Sequence, residues 1–92
     1  MAKPFDWNKD KNVLLQRERE VSFEDVVTAV EEGNLLDDAP HYNQDLHPHQ
    51  RMMTVLIRDY CYLVPYVEDK DKIFLKTIIP SRDATKKYLI HE

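Results

Sequence analysis

The chain has 92 residues, 42% of them apolar, with one Gly and five Pro. That composition suits a single marginally stable domain over residues 1–92 and excludes a disordered or low-complexity chain. The net charge of −4 is uneven: residues 1–46 carry 5 Lys/Arg against 11 Asp/Glu, and residues 47–92 carry 8 against 6. A protein that grips nucleic acid over its whole surface is basic, so any polyanion contact here is local and lies in the second half. Cys61 is the single cysteine, which precludes an internal disulfide and a multi-cysteine zinc site and suits a reducing compartment. No apolar run approaches the roughly 20 residues of a membrane span, and no signal-peptide pattern precedes Phe5. The expected location is cytoplasmic, with no membrane partner.

Phe5-Asp6-Trp7 reads as a short edge strand with its two aromatics on one face. Asn8 caps a helix to about Arg19, and Ser22 caps a second, with Asp25 three positions later completing a capping box and Val21 placed to staple onto Val26. Phe23, Val26, Val27 and Val30 give that second helix one apolar face, and Gly33 ends it in a left-handed conformation. Leu35-Leu36 is a brief strand, and Asp37–Gln50, with Pro40 and Pro48, a long polar loop. Strands follow at Arg51–Ile57, Tyr60–Val67 and Ile73–Ile79, the first two joined by an Arg58-Asp59 hairpin turn. Tyr60, Tyr62, Val64 and Tyr66 share one face, and Pro65 interrupts a ladder. Pro80 stops the last strand, and Ser81 caps a short helix that opens with Arg82. The expected class is α+β: a twisted antiparallel sheet, two N-terminal helices and a short C-terminal helix.

The strand-to-helix junction at Arg82 is the first candidate site, because unpaired backbone N–H groups at a helix start favour anions. Lys76, Lys86 and Lys87 add positive charge around it, and Lys11 adds charge on the first helix. Arg51 opens the first long strand and Arg82 follows the last. If those strands run antiparallel, the two guanidiniums meet at one sheet edge, where they could clamp a phosphate and stabilise charge in phosphoryl transfer. Each reads equally well as an ordinary surface arginine.

The histidines His41, His47 and His49 invite a metal reading, but two histidines flanking Pro48 supply only a pair of ligands, and no further ligand motif accompanies them. Exposed loop histidines are the simpler account, and imidazole's protonation near neutral pH leaves His49 a proton-shuttle role. The tyrosine stripe could stack bases, but the absence of interleaved basic residues favours packing beneath the helices. Glu31-Glu32 and Asp37-Asp38 lack calcium-loop spacing and read as solvated acidic surface. No metal or other cofactor is expected.

Phe5-x-Trp7-Asn8-x-x-Lys11, followed by Val21-Ser22-Phe23-Glu24-Asp25, resembles the N-terminal signature of BrnT-family toxins. Ile78-Ile79-Pro80-Ser81-Arg82-x-Ala84 is similar to that family's strand-to-helix motif, and Arg51 stands where the family has an arginine opening the central strand. The resemblance spans nearly the whole chain. It implies a RelE-like fold and the toxin of a bacterial type II toxin–antitoxin pair, a metal-independent endoribonuclease. It also implies a ribbon-helix-helix, BrnA-like antitoxin that neutralises the toxin and alone contacts operator DNA. Arg51, Arg82, His49 and Tyr88 would then be catalytic, and Lys11, Lys76, Lys86 and Lys87 would bind RNA. Glu18-Arg19-Glu20 replaces the family's usual Lys-His-Gly, Pro80-Ser81 replaces Ser-Ala, and the chain is acidic where the family is basic. Those departures motivate an alternative, a catalytically weak or inactive toxin homologue that serves as an antitoxin-binding, regulatory module. A third reading is an unrelated α+β interaction domain.

Overall fold

The structure, a computed structural model, describes residues 3–89. Among them, strand β1 (Phe5–Asp6) leads into helices α1 (Lys9–Arg19) and α2 (Phe23–Glu31). Strands β2 (Leu35–Pro40), β3 (Gln50–Ile57), β4 (Tyr60–Glu68), β5 (Ile73–Leu75) and β6 (Ile79–Pro80) follow, and α3 (Arg82–Leu89) comes last. The class is α+β, with a six-stranded sheet ordered β1-β5-β4-β3-β2 and β6 paired to β4.

Both N-terminal helix starts form as their sequences dictate. The Asn8 side chain accepts from the Lys11 N–H at 2.9 Å, and Ser22 and Asp25 close a reciprocal capping box. Gly33, at φ 84°, ends α2 in the left-handed region, with the Asn34 N–H donating to the Ala29 carbonyl at 2.8 Å. Glu20 ends α1 at φ 56°, a conformation that disfavours a β-carbon. Its side chain is exposed, and its carbonyl accepts from the Arg58 guanidinium. Glu20→Gly keeps that backbone bond and is expected to stabilise the fold by about 1 kcal/mol, visible as a higher urea midpoint at unchanged slope.

The β3–β4 hairpin is the centre of the sheet, in register from Gln50↔Val67 to Ile57↔Tyr60. Arg58 and Asp59 turn it with φ of 49° and 65°, the two left-handed residues of a type I′ turn. Tyr62, Val64 and Tyr66 face the helices as the stripe predicts. Met53, Val55, Ile57, Val64, Tyr66, Leu75 and Ile78 pack there against Leu15, Val21, Phe23, Val26 and Ala29. Trp7 stacks on Phe23 at 5.6 Å and closes that core at the β1 end.

Three expectations are corrected. First, β2 runs on through Asp37-Asp38-Ala39-Pro40, so the polar loop shrinks to residues 41–49. Those four residues are poor strand formers, but on an edge strand they need to satisfy only the ladder to β3, with a bulge between Leu35 and Asp37 to set the register. Second, the sheet is mixed rather than antiparallel: β1 lies parallel to β5, with Phe5 opposite Ile73. The Ile73 N–H donates to the Pro4 carbonyl at 3.0 Å, and the exposed Asp6–Lys72 and Lys3–Glu68 ion pairs, 3.3 and 2.8 Å, flank the two strands.

Third, Ile73–Ile79 is two strands rather than one. The Lys76 N–H reaches the Pro65 carbonyl at 2.8 Å, but Pro65 has no N–H to return the bond, and the ladder stops there. Pairing resumes as Leu63↔Ile79, one residue out of step with Tyr66↔Leu75. The extra residue puts Ile78 on the helix-facing side, where it is fully buried, and leaves Ile79 39% exposed. Arg19 secures the segment by donating to the Ile78 carbonyl at 2.5 Å.

Candidate functional site

The register separates the predicted residues into two groups. Strands β3 and β6 both run antiparallel to β4, so they are parallel to each other, and the start of one lies at the opposite end from the finish of the other. Arg51 sits opposite Tyr66, whereas Arg82 follows Ser81, whose N–H donates to the Cys61 carbonyl at 2.9 Å. The five residue steps along β4 from Cys61 to Tyr66 span about 17 Å at roughly 3.4 Å each. Arg51 and Arg82 therefore do not form a clamp.

At the Arg82 end, Ser81 caps α3 as its sequence predicts, with the Ala84 N–H donating to Ser81 Oγ at 3.1 Å. Thr85 ties the helix to the sheet: its hydroxyl accepts from the Cys61 N–H at 2.9 Å and donates to the Ser81 carbonyl at 2.8 Å. Arg82, Lys86 and Lys87 are exposed, and the Lys87 ammonium lies 5.3 Å from the centre of the half-buried Tyr88 ring. The Cys61 thiol is buried, and burial raises its pKa, which keeps it protonated and inert.

The Arg51 end is more highly organised. Arg51 Nε points at Asp38 Oδ1, 3.3 Å away, and at the Tyr66 hydroxyl, 3.2 Å away, while Nη2 donates to the Asp38 carbonyl at 3.3 Å. The Tyr66 hydroxyl in turn donates to the same Asp38 Oδ1 at 2.7 Å. Burial, reinforced by the hydrogen bond to Asp38, pushes the Tyr66 pKa up to about 12, so its phenol remains protonated. The Tyr66 hydroxyl and the Asp38 charge raise the Arg51 pKa further above its ordinary value. Sequence reasoning weighed Tyr66 only in the base-stacking stripe and Asp38 only in an acidic pair, and connected neither with Arg51. The missed signal was Arg51 and Tyr66 at mirror positions of the hairpin, which makes them cross-strand neighbours.

Tyr66 also sits opposite Leu75, so the Arg51 and Leu75 backbones are two strand spacings apart, about 10 Å. Lys76 follows immediately and lines a cleft of about 410 Å³ with Asn8, Asp10, Lys11 and Leu14. Lys11 and Lys76 are thus brought together. Lys72 and Lys76 also flank the Phe74 ring, each ammonium 5.9 Å from its centre.

His49 precedes β3 in an exposed turn at φ 66°. The other loop histidines pack together: His41 is only 6% exposed, 4.3 Å from the His47 ring and 4.6 Å from the Tyr42 ring. The Asn43 N–H donates to His41 Nδ1 at 3.0 Å, which places the proton of the neutral ring on Nε2. Burial first, and neighbouring His47 second, lower the His41 pKa. Among the described residues, no group of three or more His, Cys, Asp or Glu side chains could hold a metal ion, and no helix is long and apolar enough to cross a membrane.

Comparison of the chain with family models, curated proteins and solved structures returned no match.

Proposed function

We propose that the protein is the toxin of a bacterial type II toxin–antitoxin pair, a BrnT-like chain with a RelE-like fold that cleaves RNA without a metal. The observation that carries this reading is the Arg51 guanidinium, anchored at the start of the central hairpin by Tyr66 and Asp38 on the two neighbouring strands. An arginine anchored in this way meets phosphate without first losing side-chain freedom, and the charge it presents would stabilise the phosphorane-like transition state of 2′-hydroxyl attack. His49, two residues upstream, supplies an imidazole for proton transfer, and Lys76 with Lys11 supplies charge along the strand's path. The acidic side of α2, with Glu24, Asp25 and Glu31, offers a surface for a basic partner, here a ribbon-helix-helix antitoxin, and operator DNA is reached only through that antitoxin. The compartment this implies is the cytoplasm.

A second reading keeps the antitoxin and drops the catalysis. It is favoured by the Asp38 carboxylate beside Arg51 and by the distance of Arg82, with Tyr88, from that end of the sheet.

Induced without antitoxin, the wild-type chain is expected to arrest bacterial growth. Arg51→Ala is expected to relieve the arrest and slow RNA cleavage by about 100-fold or more, as loss of a transition-state donor does, with the melting transition retained. Arg82→Ala tests whether the far end contributes. Toxicity retained in both variants would place the site elsewhere, and tight antitoxin binding by a wild-type chain that leaves RNA intact would decide for the second reading.

A further inference from the structure

Arg51 stands beside a carboxylate at the point where an RNA phosphate would have to sit. The Asp38 charge offsets the guanidinium, so an approaching anion meets a locally neutral group. The contact is nevertheless easily opened. The Arg51 and Asp38 side chains are 41% and 37% exposed, and the charged atoms are 3.3 Å apart, long for a charge-assisted hydrogen bond. Asp38 sits on edge strand β2 just past its bulge, with a paired neighbour on one side only. Tyr66, by contrast, is 3% exposed and anchored in the core, and its hydroxyl serves both partners. If Asp38 swings away, Arg51 keeps its bond to the tyrosine and so keeps its position, and only the competing charge is removed.

We propose that Asp38 is a built-in competitor for Arg51, an internal anion that a phosphate of the bound RNA strand must displace. Asp38 thereby restrains the affinity of the site. This rests on the reading of Arg51 as an RNA contact given above. It also accounts for a carboxylate held against an anion-directed arginine: the aspartate acts as a threshold, so that isolated phosphates fail to compete and a strand with additional contacts at Lys76 and Lys11 succeeds.

The test is a double-mutant cycle read as binding of a short fluorescein-labelled single-stranded RNA, 2′-O-methylated so that it carries no attacking hydroxyl, at low salt. Asp38→Asn keeps Oδ1 as the acceptor for Tyr66 and Arg51 and removes only the charge. It is expected to bind the RNA about 3- to 10-fold more tightly than wild type, the lower part of the range of a direct pairwise coupling, with a steeper salt dependence. In the Arg51→Ala background the same substitution is expected to change affinity by less than about twofold, because the charge it would release is gone. Melting curves of all four proteins check that the fold is kept. Three results would overturn the proposal. An equal gain in both backgrounds would mean a generic charge effect. No gain from Asp38→Asn while Arg51→Ala weakens binding would mean that Asp38 positions Arg51 without competing for it, and would leave the RNA contact intact. Unchanged binding in all the variants would remove Arg51 from the RNA site, and this proposal with it.

Discussion

Phe23→Ala is expected to destabilise the protein by about 3–5 kcal/mol, the range for truncating a buried aromatic. Phe23 is 0% exposed and is the largest fully buried side chain in the core. It occupies the first turn of α2, where its N–H donates to the Asn12 side chain at 2.7 Å, and its ring stacks on Trp7. Its removal therefore loosens three things together: the α1–α2 packing, the seat of β1 and the helix cover over β4. A domain of this size has only several kcal/mol in total, so the variant is expected to be largely unfolded at 37 °C. In urea the midpoint should fall by at least about 1 M at a slope of roughly 1–3 kcal/mol/M. A midpoint within a few tenths of a molar of wild type would mean that the two helices do not cover the sheet.

The second large effect separates Ile78 from its neighbour. A single strand over Ile73–Ile79 alternates, so Leu75, Thr77 and Ile79 would share the core face and Ile78 would point away. The register shift after Leu75 reverses this at the far end: Ile78 is 0% exposed and Ile79 is 39% exposed. Ile78→Ala is expected to lose about 2–5 kcal/mol, whereas Ile79→Ala should lose no more than about 1 kcal/mol, the range of substitutions away from the core. Chemical denaturation of the two variants side by side reads the difference. The opposite ranking would restore the continuous strand and undo the placement of α3.

Local chemistry was legible wherever a residue acts on its own few neighbours. Asn8, Ser22 and Ser81 cap their helices, Gly33 ends the second, and Arg58-Asp59 turns the hairpin, because each of these is decided within about four residues. Glu20 ends α1 in a left-handed conformation that its own residue type does not announce. The tyrosine stripe was likewise readable, since alternation within one strand requires no knowledge of its partner. Poor local propensity misled only at Asp37–Pro40, where the ladder to β3 overrides it.

What the sequence determined by itself, then, is the order of helices and strands short of the β5–β6 break and the full length of β2, their caps and turns, the helix-facing stripe and the confinement of excess positive charge to the second half. Pairing decided the rest. Pro65 announced a broken ladder in its own strand, but the consequence fell on the partner, where the missing N–H released Lys76 and brought Ile78 into the core. The same rule governs the site. Two strands that flank one antiparallel neighbour must be parallel, so Arg51 and Arg82, each rightly placed at a strand terminus, lie at opposite ends of β4. In place of a second arginine, the sheet register gives Arg51 a buried tyrosine and an aspartate from the edge strand. Neither the tyrosine nor the aspartate adjoins Arg51 in the chain, and side chains that meet only across strands are set by tertiary register.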